Sequence, residues 1–122
     1  MAAVTAVCDA SGSLAREVAQ RLPGDVTWGH DWRAVVESPD VDAVLVLTPG
    51  SHGEIVAAAL EAGKHVFAEK PLAHSRVETE QLIRLADERG LVLQVGTMKA
   101  HDDLIAPARA AIGRIGELRV VR

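Results

Sequence analysis

Short apolar runs rich in β-branched residues alternate along the chain with longer segments whose apolar residues recur at helical spacing. The run at 42–47 is apolar without polar alternation, which is typical of a strand buried on both faces of a sheet. In 13–22, by contrast, Leu14, Val18 and Leu22 stand four residues apart and would form one stripe of a helix. The predicted strands are 4–8, 25–28, 42–47, 65–67, 91–95 and 117–121, and the predicted helices are 13–22, 31–38, 51–62, 75–89 and 102–112.

Polar residues mark where the helices should begin. Ser51 with Glu54, and Ser75 with Glu78, have the spacing of capping boxes, in which both side chains satisfy free backbone N–H groups. Pro107 would either kink the last helix or lie in its first turn, because proline has no N–H to donate. Two of the predicted helices therefore have capping residues at their predicted starts.

The alternation of strands and helices predicts how the sheet is built. A period of roughly 20 to 25 residues favours βαβ units and a parallel sheet, which is an α/β fold. Ligands of such sheets bind beyond the carboxyl ends of the strands. The candidate site residues are those that follow the predicted strands, namely Asp9, Thr48, Pro49, Glu69, Lys70, Pro71 and 96–99.

The bulk properties narrow the classes of function. The 122 residues fit one domain. The net charge is −4 and no basic run occurs, which argues against binding to nucleic acid. No apolar run approaches the roughly 20 residues of a membrane span. Cys8 is the only cysteine, so no internal disulfide is expected and a reducing cytoplasm is the simplest setting.

Two of the segments that follow predicted strands can each be interpreted in two ways. Asp9 is suited to accept both hydroxyls of a ribose, because a carboxylate has two acceptor oxygens; alternatively it bonds its own backbone in a turn. Thr48 to His52 precede a helix whose free N–H groups suit polar or anionic ligand atoms. The alternative is a tight loop with an exposed His52.

The segment "HVFAEKPLA" at 65–73 also has two readings. Glu69 and Lys70 are either a solvated surface ion pair or part of a site. Pro71 favours the site, because it restricts the backbone of Lys70 and fixes the direction in which the chain leaves the strand. A lysine held at this edge can assist proton transfer or orient a substrate oxygen.

The acidic pair that follows His101 could suggest a metal, but acidic residues are also favoured in the first turn of a helix. Asp102 and Asp103 are adjacent and would project in different directions from that helix. No metal site is therefore predicted.

Three longer motifs resemble the Gfo/Idh/MocA family of NAD(P)-dependent oxidoreductases. These are D-V-D-A-V-L-V-L-T-P at 40–49, A-L-E-A-G-K-H-V at 59–66 and E-K-P-L-A at 69–73, and the closing "IGRIGELRVVR" resembles the family's step into a second domain. The resemblance implies a Rossmann cofactor domain and hydride transfer between NAD, or NADP, and a sugar, cyclitol or related small-molecule alcohol. It also implies a homo-oligomer at full length.

The resemblance implies roles for individual residues. Asp9 corresponds to the acid on the adenosine ribose, which favours NAD over NADP, although nearby Ser11 and Ser13 could serve a phosphate. Lys70 corresponds to the catalytic lysine that reaches the reacting carbinol. The other residues implied to bind the cofactor are Thr48, Pro49, His52, Glu69, Gly96 and Lys99, with Lys70 among them.

The chain departs from the family pattern at both ends. No G-x-G-x-x-G loop occurs, and the expected first strand, which would lie between the strands at 4–8 and 42–47, is missing. Those two strands should then either pair directly or receive a strand from a partner. We expect a partial Rossmann domain over 1–115, incomplete at its N-terminus, with 116–122 beginning the step towards a missing substrate domain.

The chain is accordingly expected to be a fragment that is inactive alone. The alternative is a non-catalytic, degenerate Rossmann module that pairs with another chain. The coding sequence on either side would distinguish the two hypotheses.

Overall fold

The computed structural model describes residues 2–98, 102–103, 105–112 and 114, in which strands and helices alternate as predicted. The elements are β1 (Ala6–Cys8), α1 (Gly12–Arg21), β2 (Thr27–Gly29), α2 (Trp32–Glu37), β3 (Ala43–Val46), α3 (Gly53–Glu61), β4 (His65–Ala68), α4 (Arg76–Arg89), β5 (Leu93–Val95) and α5 (Ile105–Ile112). Lys99, His101 and the predicted strand at 117–121 lie outside the described residues.

The strands form two separate parallel sheets. β1 pairs with β2, with Ala6 opposite Thr27, and the second sheet has the order β3-β4-β5. In the described part of the chain no hydrogen-bonded ladder joins β1 to β3. Direct pairing of these two strands, one of the alternatives left by the sequence, is therefore wrong. Helix α2 lies against both β1 and α3 and links the two sheets.

The main core lies between α3 and the three-stranded sheet. Val56, Ala59 and Leu60 on α3 have no exposed surface, and they pack with buried residues of the strands and of α4. The other members of this cluster are Val36, Val46, Val66, Ala68, Leu72, Leu82 and Ala86. The apolar face of α3 therefore anchors the sheet whose strand ends carry most of the candidate site.

One face of β3 is open, which corrects the prediction that this strand is buried on both sides. Val46 is buried in the core, but Leu45 is 65% exposed and Leu47 is 62% exposed. The register places Leu45 beside Phe67 of β4, and Phe67 beside Gln94 of β5, on the same open face. An unalternating apolar run cannot reveal this asymmetry, because it contains no polar residue to mark the open side.

The helix starts are only partly as predicted. Ser75 caps α4 by accepting a hydrogen bond from the backbone N–H of Glu78 at 3.1 Å. The serine side of this predicted capping box is therefore confirmed. The box predicted at Ser51 and Glu54 is wrong. The N-cap of α3 is His52, and Glu54 instead forms an ion pair with Arg33 of α2 at 2.8 Å. Pro107 lies in the first turn of α5.

Candidate active site at the carboxyl ends of the strands

Parallel pairing brings the segments after β3, β4 and β5 to one edge of the sheet. The ladder continues one residue beyond the strands, because the N–H of Glu69 donates to the carbonyl of Val46 at 2.9 Å and that of Gly96 donates to Ala68 at 2.8 Å. The residues predicted from three separate motifs are therefore neighbours in space. Thr48 and Pro49 follow β3, Glu69 and Lys70 follow β4, and Gly96 follows β5.

Gly96, after β5, lies very close to two side chains of the neighbouring β4 segment. It is buried, and a Cβ added to it would lie 3.1 Å from both Oε1 of Glu69 and the ring edge of Phe67. Such distances are tighter than ordinary van der Waals contact, so a side chain at this position would push against the Glu69 carboxylate. The glycine lets the end of β5 lie against Glu69 and Phe67 on the open face of the sheet.

Glu69 and Lys70 are not an ion pair. The carboxylate of Glu69 accepts a hydrogen bond from the backbone N–H of Lys70 at 3.1 Å, which fixes the half-buried acid beside the turn. Lys70 is exposed, and within the described residues its ammonium group makes no hydrogen bond or salt bridge. The Lys70–Pro71 peptide bond is cis. The reading as a solvated surface pair is therefore wrong, and the ammonium is free to meet a ligand.

His52 is buried rather than exposed. Only 1% of its surface is accessible, and its ring lies between two backbone carbonyls. Its Nδ1 is 2.7 Å from the carbonyl oxygen of Pro71, and its Nε2 is 2.6 Å from that of Thr48. The ring thus connects the loop after β3 to the segment after β4, and neither nitrogen is left to contact a cofactor.

The loop between β3 and α3 presents Thr48 and Pro49 at the surface. Gly50 in this loop has a φ of +86°, a left-handed conformation that glycine adopts without steric cost. The two exposed residues therefore stand at the carboxyl end of β3, beside the segment that carries Glu69 and Lys70.

The start of α3 is in close contact with a carboxylate that sequence reasoning assigned only to helix capping. A Cβ at Gly53 would collide with the carboxylate of Glu78 from α4, and the second oxygen of that carboxylate accepts a hydrogen bond from His74 N–H at 3.2 Å. An acid at this place is favoured by the positive end of the helix dipole. Gly53, at the first helical position, leaves the space that this carboxylate occupies.

Asp9 stands apart from this cluster, at the carboxyl end of β1 in the two-stranded sheet. Its Oδ1 accepts a hydrogen bond from the N–H of Ser11 at 2.7 Å, so Asp9 forms the turn that the sequence offered as one alternative. In the described part of the chain its Oδ2 has no hydrogen-bond partner. The turn holds the carboxylate in place and leaves one oxygen available to a ligand, so the two readings of Asp9 are compatible.

Two classes of site are not seen among the described residues. No three His, Cys, Asp or Glu side chains there are grouped so that they could hold a metal ion. Nor does any described helix have the length and apolar character needed to span a bilayer.

The thiol of Cys8 lies beside the Asp9 turn, and its surroundings raise its pKa. Burial raises its pKa, and the negative charges of Asp31 and Asp9 raise it further. Because the thiolate is the nucleophile, we expect Cys8 to react with iodoacetamide at neutral pH more slowly than free cysteine does.

Asp31→Asn should accelerate this alkylation by roughly twofold to threefold, the size expected for one nearby charge screened by water. Asparagine is an equally good helix N-cap, so α2 should be unaffected. Glu37→Gln, an exposed change at the other end of α2, is the matched control. Equal rates for all three proteins would show that the charge of Asp31 does not influence the reactivity of the thiol.

The comparisons with known proteins point in one direction. The Gfo/Idh/MocA family model, described as an oxidoreductase family with an NAD-binding Rossmann fold, matches residues 1–97. Scyllo-inositol 2-dehydrogenase (NAD(+)) of Bacillus subtilis is 38% identical over 119 residues, which are 95% of this chain and 34% of that protein. Inositol 2-dehydrogenase of Pseudomonas syringae is 41% identical over 119 residues, 93% of this chain and 35% of that protein.

A solved structure agrees with these relatives. KijD10, a 3-ketoreductase from Actinomadura kijaniata crystallised in complex with NADP, superposes with a TM-score of 0.81 at 38% identity, covering 96% of this chain and 38% of that one. The chain thus spans about a third of the length of the curated relatives it matches.

Proposed function

Because the chain belongs to the Gfo/Idh/MocA oxidoreductase family, we propose that the intact protein transfers a hydride between a nicotinamide cofactor and a sugar, cyclitol or related alcohol. This chain provides the cofactor-binding part. The substrate class is supported by the relatives, which include an inositol 2-dehydrogenase and a dTDP-3,4-didehydro-2,6-dideoxy-α-D-glucose 3-reductase.

The observation that carries this proposal is the cluster at the carboxyl ends of β3, β4 and β5. Glu69 and Gly96 meet beside Phe67 on the open face of the sheet, and Lys70, whose ammonium has no partner in the described part of the chain, follows directly. Carboxyl ends of parallel strands are where such folds bind their ligands. The exposed Leu45 and Leu47 add apolar surface to the same open face.

The residues fit a nicotinamide dinucleotide in two places. The free oxygen of Asp9 suits a ribose hydroxyl, and Glu69 with Gly96 suits the nicotinamide end, where Thr48 and Pro49 provide the adjoining wall. When bound, the nicotinamide supplies or accepts the hydride. No glycine-rich phosphate loop is found in the sequence, so the diphosphate contacts are not assigned to this chain.

Lys70 is the residue proposed to touch the reacting alcohol. Its ammonium can donate a hydrogen bond to the substrate oxygen, and in its neutral form it can take the hydroxyl proton as the carbon loses its hydride. Glu69 holds the backbone of Lys70 through the 3.1 Å hydrogen bond, which orients the lysine at the edge of the sheet. Lys99 is proposed on the cofactor side from the family resemblance alone.

Asp9 should set the choice of cofactor, and this is the test of the proposed binding mode. Asp9→Asn removes the charge that repels a 2′-phosphate and weakens the acceptor of the ribose hydroxyls. We expect NADH affinity to fall by roughly tenfold, the loss of one hydrogen bond to a charged group, while NADPH affinity rises relative to it. Fluorescence titration of both cofactors with the intact protein measures the ratio.

Asp25→Asn is the matched control, because Asp25 is an exposed acid before β2, at the opposite end of the same small sheet. Its NADH to NADPH ratio should equal that of the wild type. If Asp9→Asn left the ratio of NADH to NADPH affinity unchanged, Asp9 would not belong to the cofactor site.

A further inference from the structure

The surroundings of the His52 ring have a chemical consequence. Both ring nitrogens lie within hydrogen-bond distance of backbone carbonyl oxygens, at 2.7 Å for Pro71 and 2.6 Å for Thr48. A carbonyl oxygen only accepts, so each contact requires an N–H on the ring. A neutral imidazole carries only one N–H and would leave a bare nitrogen lone pair facing an oxygen lone pair.

We propose that His52 is a doubly donating imidazolium that clamps the loop after β3 to the segment after β4. The two short distances fit charge-assisted N–H···O bonds, which are shorter and stronger than neutral ones. The backbone supports the same connection, because the N–H of His52 donates to the carbonyl of Leu72 at 3.2 Å. Three hydrogen bonds thus join this one residue to the two strand-end segments.

The two carbonyls accept from this buried charge, and one acid lies beside the start of the same helix. The positive end of α3 opposes a cation at its N-cap, an effect of roughly 0.3–1 kcal/mol, whereas the Glu78 carboxylate against Gly53 offsets it. Three other charged residues belong to the start of α3 and to the segment after β4. Glu54 pairs with Arg33, Glu69 bonds the backbone of Lys70, and Lys70 is exposed.

The clamp gives His52 a role as a positioning residue for Lys70. Pro71, whose carbonyl it holds, follows Lys70 directly, and Thr48, whose carbonyl it also holds, lies in the proposed cofactor wall. The ring therefore fixes the distance between the two segments from inside the protein. This second step rests on the proposed function, whereas the double protonation does not.

The protonation is tested by ¹⁵N NMR of the histidine rings in the intact protein, at a pH of about 8, where an ordinary imidazole is neutral. We expect both His52 nitrogens to show the chemical shifts of protonated nitrogens. His65 is the internal control, because its Nδ1 accepts a hydrogen bond from Val92 N–H at 3.0 Å and must be bare. One bare nitrogen on His52 would overturn the proposal.

The positioning role is tested with His52→Gln, whose planar amide can turn its NH₂ group towards one of the two carbonyls but then presents its oxygen, which only accepts, towards the other. We expect kcat to fall on the order of tenfold, as for the loss of one charge-assisted hydrogen bond, with little change in the KM of the cofactor. His65→Gln is the matched variant and should keep the wild-type kcat.

The outcomes separate the clamp from the proposed function. A folded His52→Gln protein with wild-type kcat would overturn the positioning role, even if its stability fell. An intact wild-type protein with no hydride-transfer activity on any polyol or sugar would defeat the proposed function, while the NMR result on His52 would still decide the clamp.

Discussion

Lys70→Ala should lower the kcat of the intact enzyme by about 10²–10⁴-fold, the usual range for loss of a general acid or base, and leave NAD affinity nearly unchanged. The physical reason is the free ammonium. The ammonium of Lys70 has no hydrogen-bond or salt-bridge partner among the described residues, so truncating the side chain breaks no polar contact within them and takes away what the ammonium offers to the substrate. Steady-state kinetics and cofactor titration measure the two quantities separately.

Lys64→Ala is the matched control, because Lys64 and Lys70 flank β4 at its two ends. The ammonium of Lys64 donates to the carbonyl of Ser38 at 2.8 Å, far along the strand from the candidate site. Its loss should lower stability by about 1 kcal/mol and leave kcat unaltered. If Lys70→Ala retained its kcat, or if both variants lost it equally, Lys70 would have no part in the chemistry.

Leu60→Ala should destabilise the protein by about 2–5 kcal/mol, the range for deleting a fully buried leucine side chain. Leu60 is completely inaccessible and is among the largest buried side chains of the described residues. It packs in the cluster that joins α3 to the three-stranded sheet and to α4, so the cavity would be enclosed on all sides. Urea unfolding of the intact protein, followed by circular dichroism, measures the loss.

Leu45→Ala provides the comparison within the same structure. Leu45 is 65% exposed on the open face of β3, and its truncation should cost less than about 1 kcal/mol. Similar losses for the two variants would mean that the open face of β3 is covered in the intact protein, and that the core around α3 is not the principal source of stability.

The sequence predicts the order of elements and the place of the site because both depend on short-range patterns. Apolar runs and helical stripes predict the bounds of every described strand and helix to within a few residues. Parallel pairing then brings the residues after the strands together, and this is why Glu69 and Gly96 were found from motifs about 25 residues apart. The family resemblance of the motifs is confirmed by the family model.

The parts that the sequence does not predict depend on long-range contacts. The sequence does not predict the burial of His52, because the Pro71 carbonyl that its ring contacts is 19 residues away. Glu54 was predicted to cap its own helix, because its actual partner, Arg33, lies 21 residues earlier on another helix and leaves no mark in the local pattern. In both cases a partner that is distant in the sequence determines where the side chain lies.

The separation of the two sheets has a consequence for cooperativity. The unit of β1, α1 and β2 contributes only Ala15 and Ala19 from α1 to the buried apolar residues, whereas the unit around α3 contains the whole ten-residue cluster. Local opening should therefore require less free energy in the first unit than in the second. A dinucleotide held by Asp9 at one end and by Glu69 at the other would bridge both. Bound ligand, rather than a continuous backbone ladder, would then make the two units unfold as one.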